Sequence, residues 1–491
     1  MQQYVKLALP PGVARTGTEY AVQGRYFDSN LVRWFQGSLQ PIGGWRAFGS
    51  SSVTGKARAM VSWVDNSNTI WAAIGTNSGL FVTTQTAAIS DITPSGFTSG
   101  REDADFGGGY GSANYGASTY GTPRADVNVI NKASMWTLDV FGQYLVGIMP
   151  EDETLYKWEL NTSNAAAAIS GAPTGNAVIC TNDLFVMVLG ADGNPRKVQW
   201  SDRGDETTWT PSATNLAGDA NLQTNGSLVC GKRYQGGEIL FTTTDAHLAR
   251  YVGGTSVYLF EQLASGCGIV SAQAAAVVGP RVFWMSQNTF WQFSGVASPM
   301  KCDVQDYVFS NLNKSQVSKV FALHNQEFGE VTWFYPFGES LEPDAYVTYS
   351  YLEGHWSIGA LSRTAATRSG AFANILMLDD SGSIYEHEIG NDRGGVTGTA
   401  KAAPIELGAG DRFMYARQYV PDEGTVGSSE IKFFSRLYPN DTESVYGPIQ
   451  SANPADLRFS GRQVAWEYRI DSGETARIGV PRIRIIPGGF R

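Results

Sequence analysis

One recurrence narrows the fold of this chain more than any other feature. Between residues 56 and 395 a short apolar strand, a polar turn and a second strand rich in aromatics recur seven times. The series opens with Ile70-Trp71-Ala72 and Gly79-Leu80-Phe81, and closes with Ile375-Leu376-Met377 and Ile384-Tyr385-Glu386. The first strands centre on residues 71, 145, 185, 240, 283, 332 and 376, at intervals of 74, 40, 55, 43, 49 and 44. After the long first interval, that is close to the ~40–50-residue period of β-propeller blades. A ring of small sheets buries both faces of each sheet against its neighbours and leaves only short edges. An array of β-sandwiches is the competing arrangement. We read residues 56–395 as one propeller-like domain of six to eight small antiparallel sheets.

Composition agrees with an all-β chain. Of 491 residues 56 are glycine, 59 are aromatic (13 Trp, 22 Tyr and 24 Phe), and only 17% are charged. Frequent glycine serves tight turns, and large rings fill the space between sheets. Sustained 3.6-residue periodicity with capping residues is missing, so helix is expected to be scarce. The remainder divides in two. Residues 1–55, with Trp34 and Trp45 among closely spaced glycines and prolines, read as an N-terminal arm. Residues 400–491 alternate strictly, as in Val464-Ala465-Trp466-Glu467-Tyr468-Arg469-Ile470, and read as a β-sandwich platform on which the arm packs.

Charge is unevenly shared. The net charge is −10. Residues 400–491 hold 12 of the 36 basic and 11 of the 46 acidic residues, leaving 24 against 35 in residues 1–399. An acidic body of this kind repels phosphate rather than gripping it. In the platform, arginines alternate with apolar residues. Arg462, Arg469, Arg482 and Arg484 are therefore expected to form a polar face for an acidic partner surface.

Signals for chemistry are weak. His247, His324, His355 and His387 stand apart, and Cys180, Cys230, Cys267 and Cys302 form no CxxC pair. Ser201–Trp209 (SDRGDETTW) has the residue types of a propeller Asp-box turn, but Arg203 stands where that turn has Asp; a capped turn after Trp200 is expected. No catalytic residue, cofactor or metal ligand is assigned. The apolar patch near the start (VKLAL) is too short for a signal-peptide core, and no run of about 18 apolar residues spans a membrane. An insertion at 106–124 places Tyr110, Tyr115 and Tyr120 five residues apart among Gly, Ser and Ala. Two readings stand for it: a subunit-contact or channel loop, and a plain surface loop.

Several segments carry a family resemblance. These are GTEY, GRYFDSNLVRW and PIGGW near the start, the Tyr-Gly stretch ending YGTPR, VQWSDRGDETTW, and the closing GRQVAWEYRI and ARIGVPRIRIIPGGFR. Together they resemble the tail nozzle proteins of short-tailed bacteriophages, also called packaged-DNA stabilisation proteins. The resemblance is diffuse and runs over nearly the whole chain. It implies a non-enzymatic structural subunit of the virion tail, assembled in the host bacterial cytoplasm. It further implies a homo-hexameric ring beneath the portal and adaptor ring, with needle, plug, fibre or spike proteins below or around it. Duplex DNA would pass through without sequence-specific binding. A carbohydrate-binding or depolymerase propeller, acting as a receptor-binding phage protein, is the alternative; it requires a concave site with Trp and paired carboxylates.

Overall fold

The computed structural model describes residues 3–106, 130–254, 256–367, 370–407, 412–424 and 427–489. Seven antiparallel four-stranded sheets follow one another: residues 57–91, 137–168, 177–221, 228–265, 275–299 and 321–360, then 365–387 completed by Trp45–Ser52. They form a seven-bladed β-propeller. The first strands of the blades line the axis. All seven strand pairs expected from sequence are the second and third strands of the blades. Those strands are the most apolar because both their faces meet neighbouring sheets; Ile375–Leu378 and Val186–Leu189 are buried at every position.

Tryptophans fasten blade to blade. A ring fills the wedge between two sheets while its N–H still needs an acceptor. Trp136 Nε1 donates to Thr76 O (2.8 Å) and Trp63 Nε1 to Gln143 O (3.0 Å), joining the first and second blades in both directions. Trp333 Nε1 of the sixth blade donates to Ala274 O, just ahead of the fifth, at 3.0 Å.

Two further sheets pack as a sandwich. One has the order Gln3–Lys6, Arg482–Pro487, Met414–Val420, Ala455–Gly461. The other runs Tyr26–Asn30, Gly398–Ala402, Gln463–Ile470, Glu430–Arg436, Ser444–Gln450, with Ile405–Glu406 also pairing to Gln463–Ile470. Between them lie Tyr419, Ile431, Phe433, Trp466, Tyr468, Ile483 and Ile485, all buried.

The N-terminal stretch is not one arm. Its first two strands enter the two sheets of the sandwich, and its last, Trp45–Ser52, is the outer strand of the seventh blade. Between them the hairpin Val32–Phe35/Ser38–Pro41 sits where the sixth and seventh blades meet. Its two-residue turn places Gln36 and Gly37 at φ 52° and 72°, the left-handed pair that matches strand twist, so glycine suits the second position. Leu31, with Phe321, Leu323, Phe334, Tyr346, Ile375 and Met377, forms one apolar cluster across the two blades.

The hairpin brings a charge into this seam. Arg33 is 4% exposed. It donates to Glu388 from both terminal nitrogens, one at 2.9 Å, and meets Glu330 at 3.1 Å while its guanidinium lies 3.7 Å over the Phe328 ring. Gly43 N–H donates to the same Glu388 at 2.9 Å. Removing one member of such a buried set leaves uncompensated charge. Arg33→Ala is therefore expected to cost about 3–5 kcal/mol of unfolding free energy. The denaturation midpoint of the purified variant reads this, and a loss under about 1 kcal/mol would contradict it.

Candidate functional site

The axis of the propeller is the first place to look for a site, because every blade contributes its inner strand there. Its cavity, about 210 Å³, is lined from the first blade by Met60 and Ser62, and further round by Asp139, Lys232, Arg233, Gln273, His324 and Thr367. These side chains are tied to one another across blades. Asp139 Oδ1 meets Arg233 at 2.5 Å, and its Oδ2 accepts from the Cys180 N–H at 2.8 Å, which links blades two, three and four. Gln273 accepts from Lys232 Nζ (3.3 Å) and donates to Trp136 O (2.8 Å). His324 Nε2 and the Tyr351 hydroxyl are 3.0 Å apart. The belt therefore braces the ring across its axis. The Gln273 side chain, bonded to Trp136 O, occupies the path along the axis.

A second pocket, about 300 Å³, brings Trp158, Glu159 and Glu206 together. Both carboxylates are bound to Lys157 Nζ, at 2.7 and 2.8 Å. The Trp158 ring is buried, and its Nε1 donates to Asn161 O and Asn164 O. The pocket offers neither an exposed ring nor an unpaired acid. Ser201–Trp209 forms the capped turn expected of it: Asp205 accepts from Thr207 N–H (2.8 Å) and from the Thr207 and Thr208 hydroxyls (2.6 and 2.8 Å), while Trp209 is buried. These hydrogen bonds, Thr207's first, lower the Asp205 pKa.

The four arginines singled out from sequence do not form one face. Arg482 and Arg484 lie on the sheet that contains Gln3–Lys6, and Arg469 lies on the other, where it meets Glu467 at 3.1 Å and Glu430 at 4.0 Å. Arg462, in the bend just before that strand, stacks over Phe413 and Tyr438. Alternation along a strand assigns faces within that strand only, so sequence could not tell the two sheets apart. Tyr110, Tyr115 and Tyr120 lie outside the described residues. Among the described residues no group of three or more His, Cys, Asp or Glu is placed to hold a metal, and no helix is long and apolar enough to cross a membrane. The four cysteines are free and buried.

Sequence reading missed the buried ionic groups, because an isolated Arg or Glu in a strand looks the same whether it is solvated or enclosed. Arg58, 1% exposed, makes two 2.7 Å bonds to Glu342, which also meets Lys319 at 3.0 Å. Lys319 in turn binds Asp103 at 2.5 Å. In the seventh blade His387 Nε2 accepts from Arg363 Nε at 2.9 Å and its ring stacks on Trp45. Burial first, and then Arg363, push the His387 pKa well down, so the imidazole is neutral.

Fold and site define an all-β body, a seven-bladed propeller joined to a β-sandwich. No family model and no curated protein matches the chain. Among solved structures it is similar to virginiamycin B lyase from Staphylococcus aureus, with TM-score 0.42 and 6% identity, covering 70% of this chain and 98% of that one. A catalytically inactive form of that lyase with quinupristin gives TM-score 0.38 at 6% identity, over 70% and 99%. A putative exported protein from Bacteroides fragilis gives 0.30 at 10%, over 51% and 88%.

Two buried carboxyls set a pH dependence. Burial pushes Glu238 up to about 7, with Asp183 adding to it and the Asn182 N–H and Arg233 opposing it. Burial likewise raises Glu330 to about 7 against the pull of Arg33. Between about pH 4.5 and 7 the unfolded chain loses these protons while the folded chain keeps them, so their contribution lowers stability as pH rises. Glu238→Gln removes one share. Its stability relative to the unmodified chain is expected to climb across that window by on the order of 2 kcal/mol. Denaturant titrations at pH 5 and pH 8 give the comparison, and an unchanged difference between the two would contradict it.

Proposed function

We propose that this chain is a structural, non-enzymatic subunit of a bacteriophage tail nozzle, a homo-hexameric ring in the virion through which duplex DNA leaves the head. Support for a shared channel comes from the axial cavity. It is only about 210 Å³ and is spanned by the Gln273–Trp136 hydrogen bond between the starts of blades five and two, so under this reading the duplex path belongs to an axis shared by several copies. That observation carries the reading. The sandwich serves as the platform that docks beneath the portal and adaptor ring, with needle, plug, fibre or spike proteins below or around it. The edge strand Ser444–Gln450 favours such docking. Its outer backbone edge pairs with no strand among the described residues, and Val445 and Tyr438 beside it are 60% and 56% exposed. An open edge with exposed apolar side chains is a template for protein contact. DNA passes such a ring without sequence-specific recognition, and assembly takes place in the host bacterial cytoplasm before the tail is complete.

Electron microscopy of the purified chain, alone and with its adaptor ring, tests the proposal. A closed six-membered ring with an open centre is the expected image. A monomer or a peripheral trimer that stays off the tail axis in both preparations would overturn it and favour the carbohydrate-binding alternative.

A further inference from the structure

The platform is nearly neutral in total, yet the structure sorts its charges. In the sheet that begins with Gln3–Lys6, residues paired across strands point to the same side. Arg482 pairs with Lys6 and with Val420, and Arg484 pairs with Tyr4 and with Gln418, which in turn faces Asp456. Arg417 and Arg458 meet at the bulge between Ala416 and Gln418 and project outward with them, as the alternation of buried and exposed residues on both strands shows. One face of this sheet thus carries Lys6, Arg417, Arg458, Arg482 and Arg484 against a single acid, Asp456. All but Arg484 of these are exposed, and Arg484 is half-buried. Adjacent strands lie about 4.8 Å apart and alternate residues about 6.7 Å apart, so the cations form one compact field. Among the described residues, no carboxylate is within ion-pair distance of Lys6, Arg417, Arg458 or Arg482. Two rings lie among them: Tyr415 is 43% exposed beneath the Arg417 guanidinium, 5.8 Å away, and Tyr4 is 52% exposed with its hydroxyl donating to Gln418 Oε1 at 3.0 Å.

We propose that this sheet face binds the phosphodiester backbone of duplex nucleic acid, without base recognition. Two observations choose this occupant over an acidic protein. Nucleic-acid interfaces are much more positively charged than protein–protein interfaces, and this face holds five cations against one acid. Here cations fill the middle of the face, and four of the five are arginines, whose planar forks suit phosphate oxygens. Moreover, the apolar edge strand Ser444–Gln450, the better protein-docking surface, belongs to the other sheet. The inference does not depend on the hexameric reading, because the face is complete in one copy. It replaces the acidic partner surface expected for Arg482 and Arg484 with a phosphate backbone, beside a propeller body that is net acidic.

Fluorescence anisotropy with a labelled random-sequence duplex, titrated with the full chain over a range of salt concentrations, tests the proposal. Four phosphate contacts, from Lys6, Arg417, Arg458 and Arg482, give a log–log salt slope of about −3.6. Triple reversal, R417E/R458E/R482E, is expected to weaken binding at least tenfold and to flatten the slope by roughly 2–3. The neutral set R417Q/R458Q/R482Q should fall between, and Lys314→Glu or Arg250→Glu, on the propeller, should bind like the unmodified chain. Thermal midpoints show that each variant is folded. Equal binding by the triple variants, no binding by the unmodified chain at low salt, or binding of polyglutamate as tightly as DNA would each overturn the proposal; the last would assign the face to an acidic protein.

Discussion

A ring of sheets must close on itself, and its closing contact covers the sheet edges that the first and last blades would otherwise leave open. Here the last sheet has only three strands of its own, and its open edge is completed by Trp45–Ser52, through pairs such as Glu386 with Arg46. That contact spans 340 residues of chain. Loop-closure entropy grows only slowly with length, so a distant strand is a tolerable closure in equilibrium terms. The Arg33 hairpin, set between the sixth and seventh blades, adds charge pairing and an apolar cluster to the same seam. A seam held by both terms resists slippage, since a register shift would strand a buried guanidinium away from Glu330 and Glu388.

The same stretch of chain makes the two modules interdependent. Residues 3–30 complete the sandwich, 32–41 wedge the propeller, and 45–52 close it, in that order along the chain. Where the modules touch, Ser29 donates to Ile358 O at 2.7 Å and Arg25 pairs with Asp303 at 3.2 Å, so the interface is polar as well as apolar. The platform is therefore held to the propeller by an N-terminal stretch whose successive strands belong to both modules.

Much of this is legible in the sequence. The second and third strands of each blade announce themselves because both their faces are buried, which leaves apolar runs ending on large rings. The closing strand does not. Trp45–Ser52 is WRAFGSSS, with only Phe48 fully buried, so its pattern resembles that of a loop; its pairing is dictated by the vacancy at the end of the ring. Residues 1–55 consequently read as one arm instead of three inserted pieces. The platform's arginines show the complementary limit. Alternation shows that Arg482 and Arg484 share one side of one strand, but Arg417, Arg458 and Lys6 join them only through cross-strand register, and Arg462 and Arg469 leave them for the same reason. Burial of Arg33, Arg58 and Glu330 had no sequence signal, because it depends on which distant carboxylate or guanidinium arrives opposite.

The N-terminal stretch makes propeller and platform a single cooperative body. Hydrogen exchange under native conditions measures this most directly, by comparing the opening free energy of amides in Trp45–Ser52 and Tyr26–Asn30 with that of the buried strands Val186–Leu189 and Gln463–Ile470. The hydrogen-bonded amides of all four are expected to exchange through one shared global opening. Exchange from Trp45–Ser52 at a much lower free energy, with the other blades still protected, would show that the ring stands without its closing strand and would contradict it.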